Sequence, residues 1–281
     1  MEEDIDLVSC SNTSMNRKIN KVMLFANNND YSKKIEKELK EKLLKRNYII
    51  SNDINDTDLA IAIGGDGSFL RMIKACNFND NISYIGVNTG TLGFVQEIYP
   101  DKIDTFLNNL DKNRYKSENI SIQETKITTK EETLHFFSLN EIVIRDANLN
   151  TAHFKVLIDG CLLENYSGDG LLISTSFGST AYNLSFKGSI VFNELHTLQI
   201  TPIAPLNNKN YSSLINSIII PQKRIIEIVP SKDNNFIISI DGENKYLNNV
   251  TNITTYVKRK RIKLIRTKEY DYTKKVNEKF L

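Results

Sequence analysis

The sequence is short of the residues that build disulfide frameworks and metal cages. Its 281 residues include three cysteines and three histidines. Cys10, Cys76 and Cys161 have no paired spacing, and His135, His153 and His196 are equally scattered. That argues against a disulfide scaffold or a Cys-rich zinc site. A charge excess of one sign is missing too: Lys+Arg number 36 and Asp+Glu 34, a net charge of +2, too small to imply a polyanion partner. No apolar run approaches the ~18 residues that a membrane helix needs. The N-terminal text MEEDIDLVSCSNTSMNRKIN is acidic and then polar, unlike a secretory signal. With 40% hydrophobic and 25% charged residues, the composition is that of an ordinary globular protein. The expectation is a soluble, reduced, cytoplasmic chain of one large or two modest domains, with neither nucleic acid nor membrane as partner.

Residues 1–18 are polar and aperiodic and read as a flexible extension. Val22–Ala26 is a short apolar run that ends in Asn27-Asn28-Asn29-Asp30, a buried strand and a turn. Ile35, Leu39, Leu43 and Leu44, set among Lys and Glu, predict an amphipathic helix. Another apolar run at Leu59–Ile63 leads into a glycine cluster and a helical segment. Tyr84–Val87 predicts a third strand, and Pro100-Asp101 opens a helix through Leu110. Strands and helices joined by short connections give a parallel sheet covered on both faces. Beyond about residue 118 the segments become short and rich in Ile, Val and Thr. Asp159-Gly160 and Asp241-Gly242 sit between apolar runs as hairpin turns, so this half is a mostly antiparallel β region. Lys268–Leu281 returns to a helical pattern. The fold expectation is therefore an α/β N-terminal domain with a parallel sheet, residues 19–118, completed by 258–281. A β-rich domain, residues 119–257, follows it. Lys258-Arg259-Lys260-Arg261 alternate with or flank Val257, Ile262 and Leu264 and read as the solvent face of a strand.

Four segments carry chemistry. In Ile63-Gly64-Gly65-Asp66-Gly67-Ser68, a strand passes through glycines into a helix. Glycines allow a phosphate to approach the backbone, and a helix N-terminus offers it free N–H groups. A carboxylate in such a place either binds a metal or takes a proton, which makes Asp66 a candidate general base; the plain alternative is a helix cap. Asn140-Glu141 lies inside the apolar stretch Phe136–Ile144. A buried amide and carboxylate need partners, and the vicinal hydroxyls of a ribose would serve; the alternative is a loop or edge position. Gly168-Asp169-Gly170 through Ser185 places small hydroxyl residues around Gly178, with Tyr182 able to stack on a base. In Thr201-Pro202-Ile203-Ala204-Pro205 two prolines fix the backbone, which in isolation suggests a rigid surface loop.

Taken in order, GGDG, NE, GDGLLISTSFGSTAYNLS, TPIAP and a late DG resemble the NAD kinase family across about residues 20–281. The resemblance implies an NAD kinase/diacylglycerol kinase-like fold and transfer of the ATP γ-phosphoryl group to the 2′-hydroxyl of the adenosine ribose of NAD. It also implies a divalent cation, Mg²⁺, carried by ATP, polyphosphate as a donor in some members, and a homo-oligomer, tetramer or dimer. By position, Asp66 would accept the 2′-hydroxyl proton, Gly67 would line the pyrophosphate and Arg71 would stand near a phosphate. Asn140 and Glu141 would grip the substrate, Glu141 on the ribose, and Asp169 would bond a base or carboxamide edge. Thr180, Ala181, Tyr182, Asn183, Leu184 and Ser185 would surround the adenosine half, and Ala204 would line the same pocket. Ser167 stands in the site where many members carry Arg. Phe177 replaces a proline or small polar residue, and Lys187-Gly188 replaces a Gly-Gly pair. A lipid or sugar kinase of the same superfamily would need an apolar channel where Ser174–Ser185 supplies hydroxyls. A catalytically inert dinucleotide-binding regulator has no need of Asp66.

Overall fold

The computed structural model describes residues 19–90, 93–231 and 234–281; the extension expected over residues 1–18, with Cys10, lies outside the described residues. Strands β1 (Lys21–Ala26), β2 (Ile49–Ile50), β3 (Leu59–Gly64) and β4 (Ser83–Asn88) interleave with helices α1 (Asp30–Lys45) and α2 (Asp66–Ala75), and α3 (Ile103–Asp111) follows. All pairings among these strands are parallel. β3 explains why both faces must be covered. Leu59, Ile61 and Ile63 pack with Ile35, Leu39 and Leu43 of α1 and Phe106, Leu107 and Leu110 of α3. Ala60 and Ala62 pack with Phe69, Met72 and Ile73 of α2 on the other face. Alternation along one strand therefore feeds two cores. Asn29 starts α1 by accepting the Ser32 N–H at 2.8 Å, as an N-cap does. One residue departs from the periodic reading: Leu44 is 51% exposed, because the buried stripe of α1 is the narrower one through Ile35, Leu39 and Leu43.

The remaining strands are β5 (Lys116–Thr129), β6 (Thr133–Ser138), β7 (Glu141–Asp146), β8 (Ala152–Ile158), β9 (Cys161–Gly168), β10 (Gly170–Thr175), β11 (Leu198–Ile203), β12 (Ile218–Ile220), β13 (Ile226–Pro230), β14 (Asn234–Ile240) and β15 (Glu243–Arg266). Helices α4 (Tyr182–Ser185) and α5 (Tyr272–Phe280) complete the chain. The pairings β10–β11, β10–β7, β14–β7, β14–β15, β5–β15 and β8–β9 are antiparallel. The two Asp-Gly turns close β8–β9 and β14–β15. Asp159 and Gly160 have φ of 50° and 78°, Asp241 and Gly242 46° and 84°, the left-handed pair that a tight hairpin requires. β15 joins the halves: it begins against β14, runs along β5, and ends parallel to β4 at Lys263 and Leu264. A register shift between Val257 and Arg261 marks where it changes company.

One local alternative is decided and one reading is corrected. Within Phe136–Ile144, β6 ends at Ser138 and β7 starts at Glu141, so Asn140 takes the loop alternative and Glu141 opens a strand. Leu198–Ile203, which includes Thr201-Pro202, is a fully buried strand and not a surface loop; only Ala204, with φ 44°, emerges from it. Cys76 is a core residue, whereas Cys161 is exposed at the start of β9. No described helix is long and apolar enough to cross a membrane.

Candidate active site

Asp66 is the first residue of α2, and Gly65 is its cap. The carboxylate does not cap its own helix. Its Oδ2 accepts the Phe94 N–H at 2.9 Å and its Oδ1 the Val95 N–H at 3.0 Å, while Gln96 Nε2 donates to Gly65 O at 2.8 Å. The α2 N-terminus is thereby left without a side-chain cap, open to an anion. Gly67 is exposed beside it. Arg71, one turn along, donates to Ser68 Oγ at 2.9 Å and to Asn27 Oδ1 at 3.2 Å, which holds a guanidinium on the same side. The plain reading of Asp66 as a helix cap gives way to a carboxylate bound by a neighbouring loop and 35% exposed at its side chain.

The second anchor is built around Asp241. Its Oδ1 accepts the N–H groups of Asn140 at 2.8 Å and Glu141 at 3.3 Å, and its Oδ2 that of Leu139 at 3.0 Å. The bend between β6 and β7 is thus clamped from the β14–β15 turn. Burial pushes the Asp241 carboxyl above its ordinary range, and the three N–H groups pull it back. Glu141 is 5% exposed. Burial first, and the nearby Asp241 carboxylate second, push its carboxyl up to about 8, against the pull of the Tyr182 backbone N–H. Its Oε2 has no hydrogen-bond partner in the protein. Lys74 of α2 reaches this corner, donating to Ile240 O at 3.3 Å and pairing with Glu243 at 3.1 Å.

The hydroxyl-rich block wraps the same bend. Thr175 N donates to Asn140 O at 2.9 Å. A Cβ at Gly178 would stand 2.1 Å from Asn140 O, so only glycine lets this turn close on Asn140. Leu139 and Phe177 belong to one buried cluster with Phe69, Met72 and Ile73 of α2, which sets the three motifs side by side. Tyr182 is 42% exposed; its hydroxyl accepts from Arg145 Nη2 at 3.3 Å and its ring meets Phe186 edge-on at 4.9 Å. Thr180, Ala181 and Leu184 are half-buried and Ser185 is exposed. Asn183 differs from its neighbours. It is fully buried, with Nδ2 donating to Ser179 O and Ser189 O and Oδ1 accepting from Thr201, so its side chain holds the turn and faces no opening.

Asp169 is exposed between β9 and β10, its N–H bonded to Ile203 O at 3.0 Å, which places it next to exposed Ala204. Ser167 is 5% exposed and shares a 2.8 Å hydrogen bond with His153 Nδ1. Two clefts of about 470 and 460 Å³ lie elsewhere, and neither is lined by Asp66, Glu141 or Tyr182.

Comparison with known proteins decides the family. The ATP-NAD kinase N-terminal domain matches residues 7–115 and the ATP-NAD kinase C-terminal domain residues 139–267. The NAD kinase of Finegoldia magna is 36% identical over 276 residues, 95% of this chain and all of that one. The NAD kinase of Streptococcus pneumoniae is 33% identical over 264 residues, 93% and 96% of the two chains. The chain belongs to the NAD kinase family. The fold is shared with yeast NADH kinase complexed with NADH (TM-score 0.82, 20% identity, 94% of this chain and 88% of that one). It is shared as well with an NAD kinase from Archaeoglobus fulgidus in complex with ATP (TM-score 0.68, 20% identity, 92% and 97%).

Against the NAD kinase pattern, the departures read from sequence have structural outcomes. Phe177 is 5% exposed and packs on α2, so the larger side chain fills core. Lys187 is exposed with φ 61°, and Gly188 packs against the Asn183 amide. Sequence reasoning missed three participants: the Phe94-Val95 turn, Asp241 as anchor of Asn140-Glu141, and Lys279, whose Nζ lies 3.7 Å from Asp66 Oδ2. The glycine-bearing run Asn88-Thr89-Gly90 to Gly93-Phe94 after β4 was a usable signal for the first. The late Asp-Gly motif marked the position of Asp241 but not its role, and nothing local announces Lys279.

Proposed function

We propose that the chain is an NAD kinase that moves the γ-phosphoryl group of ATP to the 2′-hydroxyl of the adenosine ribose of NAD. The observation that carries this reading is Glu141: a buried carboxyl with one oxygen lacking a partner, in a bend held rigid by Asp241. An unpaired buried polar atom is costly, and a hydroxyl-bearing ligand supplies the missing donor. In this reading Asn140 and Glu141 hold the ribose, Tyr182 lies along a base, and Asp169 and Ala204 border the same pocket. Asp66 takes the 2′-hydroxyl proton as the oxygen forms its bond to the γ-phosphorus; the bond to the β,γ-bridging oxygen breaks and ADP leaves. Phosphoryl transfer asks mainly for positioning and charge neutralisation, which the α2 N-terminus and Arg71 contribute. Among the described residues no three His, Cys, Asp or Glu side chains converge. The family resemblance assigns a divalent cation to the ATP phosphates as part of the substrate, where it would neutralise charge. Polyphosphate as a further donor and a homo-oligomeric state rest on the family resemblance, and a cytoplasmic location rests on the composition.

The test is a coupled assay with NAD, ATP and Mg²⁺, in which an NADP-specific dehydrogenase reports NADP. The expected result is NADP formation that disappears in Asp66→Ala. NAD binding without turnover in the unaltered protein would favour an inert regulator, and neither binding nor turnover would point to a lipid or sugar kinase.

A further inference from the structure

The last helix of the chain reaches the carboxylate at the head of α2. Lys279 Nζ stands 3.7 Å from Asp66 Oδ2, the same oxygen that accepts the Phe94 N–H. The Phe94 ring is gripped from both ends of α5: Tyr272 meets it edge-on at 5.5 Å and Phe280 tilts against it at 6.0 Å. Tyr272 also faces the opposite wall. Its ring lies 4.5 Å from that of Phe192, and its hydroxyl donates to Val191 O at 3.1 Å. Val191 is bonded in turn to Ser179 Oγ, through N–H at 3.0 Å and C=O at 3.2 Å. α5 thus spans from the turn that holds Asp66 to the turn that carries Thr180–Ser185.

The helix is placed there deliberately by its surroundings, since it has no fully buried residue of its own. Asp271 caps it by accepting the Lys274 N–H at 3.1 Å. The chain leaves β15 at Arg266, which is 2% exposed and bonded to Glu118 at 2.6 Å and Glu97 at 3.4 Å. Thr267 N donates to Glu97 at 2.6 Å, and Glu97 closes the segment that contains Phe94 and Val95. Lys279 and Asp66 side chains are 29% and 35% exposed. A pair so wetted adds little to stability, so the contact matters for where it holds the carboxylate.

We propose that Lys279 is a positioning residue for Asp66, and that α5 completes the active site by clamping the Phe94-Val95 turn and fixing the carboxylate against it. This rests on the reading of Asp66 as the proton acceptor. In-line transfer is sensitive to displacements of about an ångström, which cost up to about 10²-fold in rate; loss of one of several restraints is expected to cost less.

The experiment is a kinetic cycle on the full chain with Lys279→Met, Lys279→Arg, Asp66→Asn and the double variant Asp66→Asn/Lys279→Met. Lys279→Met is expected to lower kcat about tenfold with the KM for NAD within about twofold and the melting temperature unchanged, and Lys279→Arg to restore most of the rate. The double variant should be no slower than Asp66→Asn alone, the signature of a residue that acts through its partner. A further tenfold loss in the double variant would overturn positioning in favour of a direct contact between Lys279 and the transferred phosphate. Normal kcat in Lys279→Met beside an inactive Asp66→Asn overturns the role of Lys279 and leaves Asp66 standing. Near-normal turnover in Asp66→Asn removes the proton acceptor itself.

Discussion

Two acidic side chains belong to the proposed site, and their surroundings could hardly differ more. Asp66 is partly exposed, with each oxygen already taken by a backbone N–H of a neighbouring turn and a lysine within ion-pair distance. Glu141 is 5% exposed, keeps one oxygen without a partner, and is pushed up to about 8 by burial and by Asp241. The lesson is that environment divides the labour between two otherwise similar groups. The first is oriented and in reach of solvent, suited to receive a proton. The second is dry and short of a donor, suited to hold a hydroxyl.

The sharpest way to break this contrast is to remove each acid in turn. Asp66→Ala is expected to lower NADP formation by roughly 10²–10⁴-fold, the usual range for a lost general base, while NAD affinity measured by calorimetry stays near normal. Glu141→Ala should do the reverse and weaken NAD binding first. Equal effects on binding from both variants would end the division of roles. Next in size is Asp241→Ala. It strips acceptors from three N–H groups at Leu139, Asn140 and Glu141, and loss of such a network costs about 2–4 kcal/mol of stability. Chemical denaturation of the ligand-free protein would measure it, and a change under ~0.5 kcal/mol would show the bend to be self-supporting.

The contrast also has a pH signature. Glu141 titrates near its ordinary 4.5 when unfolded and at about 8 when folded, so between those values the folded state binds the extra proton. Stability from this group is fully present below pH 4.5 and declines as pH rises through about 8. The expected loss is on the order of 5 kcal/mol across that window, of which roughly 2–3 kcal/mol falls above pH 6, and it should vanish in Glu141→Gln, whose neutral amide has no proton to lose. Denaturation midpoints of both proteins at pH 6 and pH 9 decide it; parallel curves would mean that the buried carboxyl is solvated on demand.

How much of this was legible beforehand follows from the range of each signal. Apolar alternation is local, and it located β1, β3, α1, α2 and the Asp-Gly hairpins. Motif order located Asp66, Asn140-Glu141 and the Thr180–Ser185 turn. Contacts between distant segments leave no periodic trace. Asp241 reads as a hairpin turn, yet its carboxylate serves a bend about a hundred residues earlier in the chain, at Leu139–Glu141. Phe177 stands where the family pattern has a proline or a small polar residue, yet it lies in the core against α2. Asn183 falls inside a binding motif, yet its amide is spent on Ser179, Ser189 and Thr201. Composition gives the residue type for such roles, and only tertiary structure gives the direction in which the side chain points.

The smallest effect tests the edge of the site, where the carboxylate contrast gives way to stacking. Tyr182 is 42% exposed, yet its ring is already braced against Phe186 and its hydroxyl against Arg145. A braced aromatic loses little freedom when a base stacks on it, so Tyr182→Ala should weaken NAD binding by roughly 1–3 kcal/mol. Arg145 also lies 5.7 Å over the Phe186 ring, so truncation at Tyr182 leaves that brace in place and the loss should sit at the low end. Tyr182→Phe keeps the ring and should bind NAD almost as the unaltered protein does. If the phenylalanine variant loses as much as the alanine one, the hydroxyl and its Arg145 contact carry the affinity, and the ring is no stacking platform.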